Sequence, residues 1–487
     1  MQRSSLSKAA LLALVATLIL PSLAFAQEDA LNVNEALPQA ISDLDNVWII
    51  VATVLVFFMQ AGFALLEIGF SRGKNVGAGI AKILINFSVA SIVWWAVGFG
   101  IAFGGSAVIA GDTGFFFQIG RDVAGEPADT ATAAFFIFQF MFAAVSLAIV
   151  WGTTLERIKF IAYPIFAVVF AGLIYPLIAH WGFGGGLFAA DNFPGNGVQD
   201  FAGSSVVHLT GATAAFAALL LLGSRKGKYG PDGKPRAIPG HNMPLFGLGV
   251  LILWLGWFGF NGGSTLAAGG SQFTEVIGVT NLGAAAGVIT ACITISLLTG
   301  KLDVGMAGNG AIAGLVAITA PSGYVEFWAA PIIGGIAGII VVFGVLGIDK
   351  YLDDPVGALS AHGLAGIWGT IACGLFTSPR LAESVGVGNE GLFYGGGLTQ
   401  LGAQVSAVIV TFVVVFTLSY ITFLLIKVTV GLRVDEDVED AGLDIVEHGM
   451  YGYPEQFIPA PELVGYGATP SVPATMSAPL ASTKEVV

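Results

Sequence analysis

The sequence predicts an all-α polytopic membrane protein of eleven transmembrane helices, on three observations. Of its 487 residues 55% are hydrophobic and only 10% charged, against about 25% charged in a soluble domain. Apolar stretches of the length needed to cross a hydrocarbon core of about 30 Å recur along the chain. Finally, the 68 glycines often lie three or four residues apart on one helix face, as at Gly334, Gly335 and Gly338 or Gly366 and Gly369. In lipid such spacing lets helices approach closely and pack by van der Waals contact. The runs do not alternate as β-barrel strands do. No basic stripe suits nucleic acid. Cys292 and Cys373 lie in apolar runs without a CxxC neighbour, so packing is expected of them rather than a disulfide or a metal site.

Taken in order, residues 1–26 read as a cleaved signal peptide. Arg3 and Lys8 form its positive region, Ala9 to Leu20 its short apolar core, and Ala24-Phe25-Ala26 its cleavage site. A membrane domain over 27–432 follows, with spans expected at 46–70, 76–104, 130–154, 159–181, 203–223, 243–263, 277–299, 305–320, 325–348, 357–377 and 401–430. If the first of these runs inward, the inside loops hold eleven Lys and Arg, from Arg72 to Lys350, and the outside loops only Arg121 and Arg380. Lys/Arg bias toward the cytoplasm then places the N-terminus outside, the C-terminus inside and the protein in the cytoplasmic membrane. Lys82, about two turns into the second span, is expected to snorkel inward. Residues 433–487 read as an acidic cytoplasmic tail, disordered from about 460 onward.

Ionisable residues inside spans are costly and therefore functional candidates. His208 and His362 lie well inside the fifth and tenth spans. Asp200 precedes His208 by eight residues and Asp354 precedes His362 by eight. At about 1.5 Å per residue each imidazole sits about 12 Å in from its aspartate. The two spans run in opposite directions, so both rings come near the membrane midplane. Each also shares its face with small residues, Gly211, Ala212 and Ala215 beside His208, and Ala365, Gly366 and Gly369 beside His362. Opposed elements meeting at one depth are the mark of an inverted repeat with the site at its interface, here two five-helix sets (spans 1–5 and 6–10) plus a final long helix. Two readings stay open on these residues: a contacting pair lining a path, or two histidines each bonded to its own backbone carbonyl. A neutral imidazole offers one donor and one acceptor, and a pair could share a proton or pass a small neutral molecule. No third ligand at that depth supports a metal. No nucleophile with a base and no cofactor loop supports an enzyme.

At the outer end of span six lie Trp257, Phe260, Asn261 and Ser264, and span three begins with Phe138, Gln139 and Phe142. Aromatic faces with a hydroxyl can hold a small cation, or serve as interface anchors. Here the stretch Asp200-Phe201-Ala202-Gly203-Ser204-Ser205-Val206-Val207-His208 resembles the signature of the ammonium transporter (Amt) family. It is joined by Arg72-Gly73-Lys74-Asn75, Leu155-Glu156-Arg157, His241-Asn242-Met243-Pro244, the run from Gly256 to Ser264, and Asp353-Asp354-Pro355 leading to His362-Gly363. The likeness spans about residues 46 to 455.

That resemblance implies an eleven-helix protomer with its own pore, assembled as a homotrimer in the bilayer. It implies His208 and His362 as twin pore histidines, Phe142 and Phe260 as a stacked phenyl gate, and Ser264 in an external ammonium site that Asp200 supports. Trp257 joins the substrate-binding set. Phe183 stands where the family often has Trp, with Trp181 two residues earlier. The tail, from Gly431-Leu432-Arg433 to His448-Gly449, is similar to the family tail that couples to a PII-type regulatory protein. The expected function is ammonium transport: ammonium is recruited outside, loses a proton, and crosses as ammonia past the histidines, with or without a proton relay and without a cofactor. An Rh-like bidirectional ammonia channel and an ammonium sensor on the same fold are the alternatives.

Overall fold

The computed structural model describes residues 33–457. The expected signal peptide and the tail beyond 457 lie outside the described residues. The described chain is a helical bundle: α1 Val33–Phe70, α2 Gly73–Phe103, α3 Thr130–Gly152, α4 Ala162–Gly182, α5 Ser204–Leu222, α6 Met243–Gly263, α7 Gln272–Thr299, α8 Val304–Thr319, α9 Ala329–Ile348, α10 Leu359–Phe376 and α11 Thr399–Thr429. Ten of these are long and apolar enough to cross a membrane, and α8 is apolar but shorter at 16 residues. The expected spans match them, save that α1 begins at Val33, carrying Pro38 within it.

Local chemistry sets several helix starts. Asp129 caps α3 by accepting from the Thr132 amide, and Thr132 returns a bond to the Asp129 amide, a capping box. Asn242 accepts from Leu245 at the start of α6, with Pro244 in its first turn. Asp303 does the same for Met306 in α8.

The small residues act where the helices cross. α6 lies along α1, and a Cβ at Gly249 or Gly259 would come within 2.7 Å of the carbonyls of Gly62 or Ala52. A Cβ at Gly366 would stand 2.7 Å from the Ser204 carbonyl. That close approach brings α10 against the first turn of α5. Aspartates precede α5 and α10 at opposite ends of the bundle, and the two helices cross near its middle.

The segment after α11 folds back against one end of the bundle, called here the tail side. Val434 donates to the Arg157 carbonyl at 3.0 Å. The Asp444 carboxylate accepts from Gly77 and Ala78 at the start of α2, at 3.0 and 2.9 Å. Leu443 donates to Asn75. Residues 433–449 therefore form a docked strap, held by the first-turn amides that a helix N-terminus leaves open.

Candidate functional site

Both histidines sit in a π-helical first turn, Ser204–Leu209 in α5 and Leu359–Leu364 in α10. The aspartate eight residues before each explains why so wide a turn is stable. Asp200 accepts four backbone bonds, from Gly203 at 3.0 Å, Ser204 at 2.7 Å, Ser205 at 3.0 Å and Val206 at 2.9 Å. Asp354 accepts from Gly357 at 3.1 Å and Leu359 at 2.8 Å. A carboxylate there satisfies orphan amides and matches the positive end of the helix dipole. Gly203 makes the turn with φ +112, and a Cβ there would lie 2.6 Å from the Val207 side chain.

The two imidazoles meet. Their Nδ1 atoms are 3.3 Å apart, and the ring centroids are 5.4 Å apart with 23° between planes. His208 is fully buried and His362 only 6% exposed. Where Nδ1 faces Nδ1, one ring donates and the other accepts. Nε2 of His208 is buried with no hydrogen-bond partner among the described residues.

The aromatic residues continue the line. Phe260 lies 5.5 Å from His208 and stacks on Phe142 with centroids 4.1 Å apart and 16° between planes. Phe183 meets Phe142 edge-on at 6.4 Å. Trp257 does not stand in the mouth, where sequence spacing had grouped it. It is fully buried, stacks on His208 at 5.0 Å and donates its indole N–H to Thr319. One turn separates it from Phe260, enough to move it from the mouth to the wall behind the histidine. Trp181 is likewise withdrawn, its indole donating to the Ile109 carbonyl.

A cavity opens at each end of this column. On the side away from the tail, one of about 310 Å³ is lined by Gln139, Phe142, Phe183, Asp200 and Ser264 among others. The Ser264 hydroxyl donates to the Phe260 carbonyl at 2.9 Å, which leaves its lone pairs to accept. Gln139 Oε1 is a second acceptor, buried with no hydrogen-bond partner among the described residues. Nothing in the sequence singled Gln139 out except its place one turn before Phe142. On the tail side, a cavity of about 20 Å³ touches Phe63, Glu67, Asn309 and His362.

Lys82 does not snorkel. Its side chain is 1% exposed, and its ammonium pairs with Glu67, itself 2% exposed. A counter-ion on the neighbouring helix lets the lysine stay at depth. Burying either charge alone would cost far more than burying the pair.

Beyond this cavity the family-like motifs converge. Arg225 grips Asp353 through Nε and Nη2 at 2.9 and 2.8 Å and reaches Glu156 at 3.4 Å. Arg72 also pairs with Glu156 at 2.7 Å, and Arg157 donates to the Asp353 carbonyl. Burial pushes the Asp353 carboxyl upward, but the Arg225 bonds and the Arg157 charge outweigh it and hold the group at about 2. Within the strap Arg433 pairs with Glu439, while Arg433 donates to the Leu222 carbonyl and Glu439 accepts from the Lys226 amide, so the strap docks beside Arg225.

With this geometry in view, comparison with known proteins gives one answer. Residues 47–453 match the Ammonium Transporter Family. The chain is 43% identical to Ammonium transporter Amt2 of Archaeoglobus fulgidus, over 88% of this chain and 90% of that one. It is 35% identical to a Bacillus subtilis protein named ammonium transporter, over 84% and 98%. Among solved structures, one named Sensor Amt Protein superposes with a TM-score of 0.77 at 35% identity, over 84% of this chain and all of that one. Candida albicans Mep2 superposes at 0.73 with 30% identity, over 81% and 87%.

Proposed function

The chain belongs to the ammonium transporter family and carries ammonium across a membrane; from that premise we propose that the column from Phe183 to His362 is its conduction path. The observation that carries this reading is the contacting imidazole pair directly behind the stacked phenyl rings. The wide cavity is the external mouth, and the tail side is cytoplasmic. Ammonium, with four N–H donors, is held there by the Phe142 and Phe183 faces and by the Ser264 and Gln139 oxygens. Cation–π attraction adds about 2 kcal/mol when the cation is desolvated. Asp200 supports this mouth from within its wall, its oxygens committed to the α5 turn.

A bare cation in the span costs several kcal/mol, so ammonium gives up its proton to solvent in the wide cavity before the gate, and ammonia crosses Phe142 and Phe260. It then hydrogen-bonds in turn to His208 and His362, with Trp257 holding the His208 ring. The proton follows along the facing Nδ1 atoms, which makes transport electrogenic. Potassium has no proton to shed and finds few oxygens to replace its hydration shell. The protein acts as a homotrimer with one such path in each protomer, α8 completing the eleven spans. The docked strap at 433–449 offers a PII-type regulator a surface mechanically linked to the Asp353 cluster.

Expression in a host stripped of its own ammonium carriers tests the reading. Growth on limiting ammonium should return with the wild type and fail with His208→Ala. Rescue at high external pH alone would favour passive ammonia exchange, and no rescue at all would favour a sensing role.

A further inference from the structure

Glu67 and Lys82 take no part in the path just described, yet they form a closed ion pair at membrane depth in α1 and α2. Replacing a buried ion pair by apolar residues of equal volume is often neutral or stabilising, so fold stability alone is a weak reason for this one. Its surroundings supply a stronger reason. Glu67 and His362 line the same tail-side cavity, and they are its only ionisable walls among the described residues. At about 20 Å³ it has room for one water-sized molecule, and Glu67, Asn309 and His362 supply the few polar partners that such a molecule needs. Lys82 stands outside that lining. Its ammonium is bound to Glu67, lies 3.5 Å from the Trp151 carbonyl and sits 6.0 Å from the Tyr163 ring. The carboxylate, and not the lysine, therefore meets whatever leaves His362.

We infer that Glu67 is the inner proton acceptor of the path, and that Lys82 is a positioning residue that holds its carboxyl at the cavity. The inference rests on the proton relay proposed above. A protonated histidine gives its N–H proton to the molecule in the cavity, which passes one of its own to the Glu67 carboxylate. The imidazole is left neutral and Glu67 becomes a carboxylic acid. Ammonia arriving in the cavity then uses its lone pair to take that proton, leaving as ammonium and restoring the carboxylate. Lys82, bound to Glu67 from outside the lining, holds the carboxyl against the cavity wall.

The test is the ratio of charge to ammonia moved in proteoliposomes after an ammonium jump, with current read electrically and ammonia by the internal total of isotope-labelled ammonia and ammonium. The double variant Glu67→Gln/Lys82→Met leaves no charge buried and should elute and melt as the wild type does. Its current should drop roughly a hundredfold, the scale of a lost general acid–base group, while ammonia flux persists. Glu67→Asp keeps the ion pair and withdraws the carboxyl from the cavity by one methylene, and should lower the ratio severalfold. A wild-type ratio in either folded variant overturns the role of Glu67. A wild type that moves ammonia without current overturns the relay itself, and this role with it.

Discussion

The two mouths of the proposed path are built on different principles. The wide one, of about 310 Å³, offers aromatic faces and neutral oxygens, and its aspartate is fully engaged by four backbone amides. The narrow one, of about 20 Å³, has an ionisable wall in Glu67, and the aspartate behind its helix accepts two amide bonds. A mouth that selects a cation from water needs room and polarizable faces. A mouth that reunites a proton with ammonia needs a titratable group at close quarters. The difference teaches that the two halves are alike in backbone and unlike in chemistry.

The largest effect that sharpens this contrast comes from the anchors. Asp200→Ala strands four first-turn amides and should cost about 4 kcal/mol of stability, whereas Asp354→Ala, with two, should cost about 2 kcal/mol. Thermal unfolding in detergent would show it, and equal losses would mean that the two turns are not held as described. Next comes acid sensitivity on the tail side. Asp353 is held at about 2 against an ordinary 3.8. A lowered carboxyl value contributes stability above about pH 4 and loses it as pH falls toward 2. The contribution is about 2 kcal/mol. Asp353→Asn should flatten that part of the stability profile while leaving Arg157 and Arg225 less well paired at neutral pH. The smallest effect belongs to the wide mouth. Phe183→Trp strengthens the cation–π face by about 0.5–1 kcal/mol, so the half-saturating ammonium concentration should fall roughly two- to fivefold at unchanged maximal rate.

What was readable in the sequence follows from periodicity and spacing. Apolar length located the spans, and the repeated eight-residue offset from Asp200 and Asp354 placed both histidines at one depth. The stacking of Phe142 on Phe260 came from the family likeness, and the structure shows it directly. Less was legible where a contact joins residues on different helices. Lys82 looked like a snorkelling lysine because nothing in its own span names Glu67 as its partner. Trp257 was grouped with the mouth because helical spacing says which face a residue shares, and not how deep its ring reaches. The convergence of Arg72, Glu156, Arg225 and Asp353 is invisible in any single motif, since four separate segments supply it.

Charge movement through the paired histidines is measured most directly by the current that wild-type and His208→Ala proteoliposomes give on an ammonium jump. The account predicts a sustained current from the wild type and its loss in a folded His208→Ala protein. An unchanged current in that variant would contradict it and take the imidazole pair out of the mechanism.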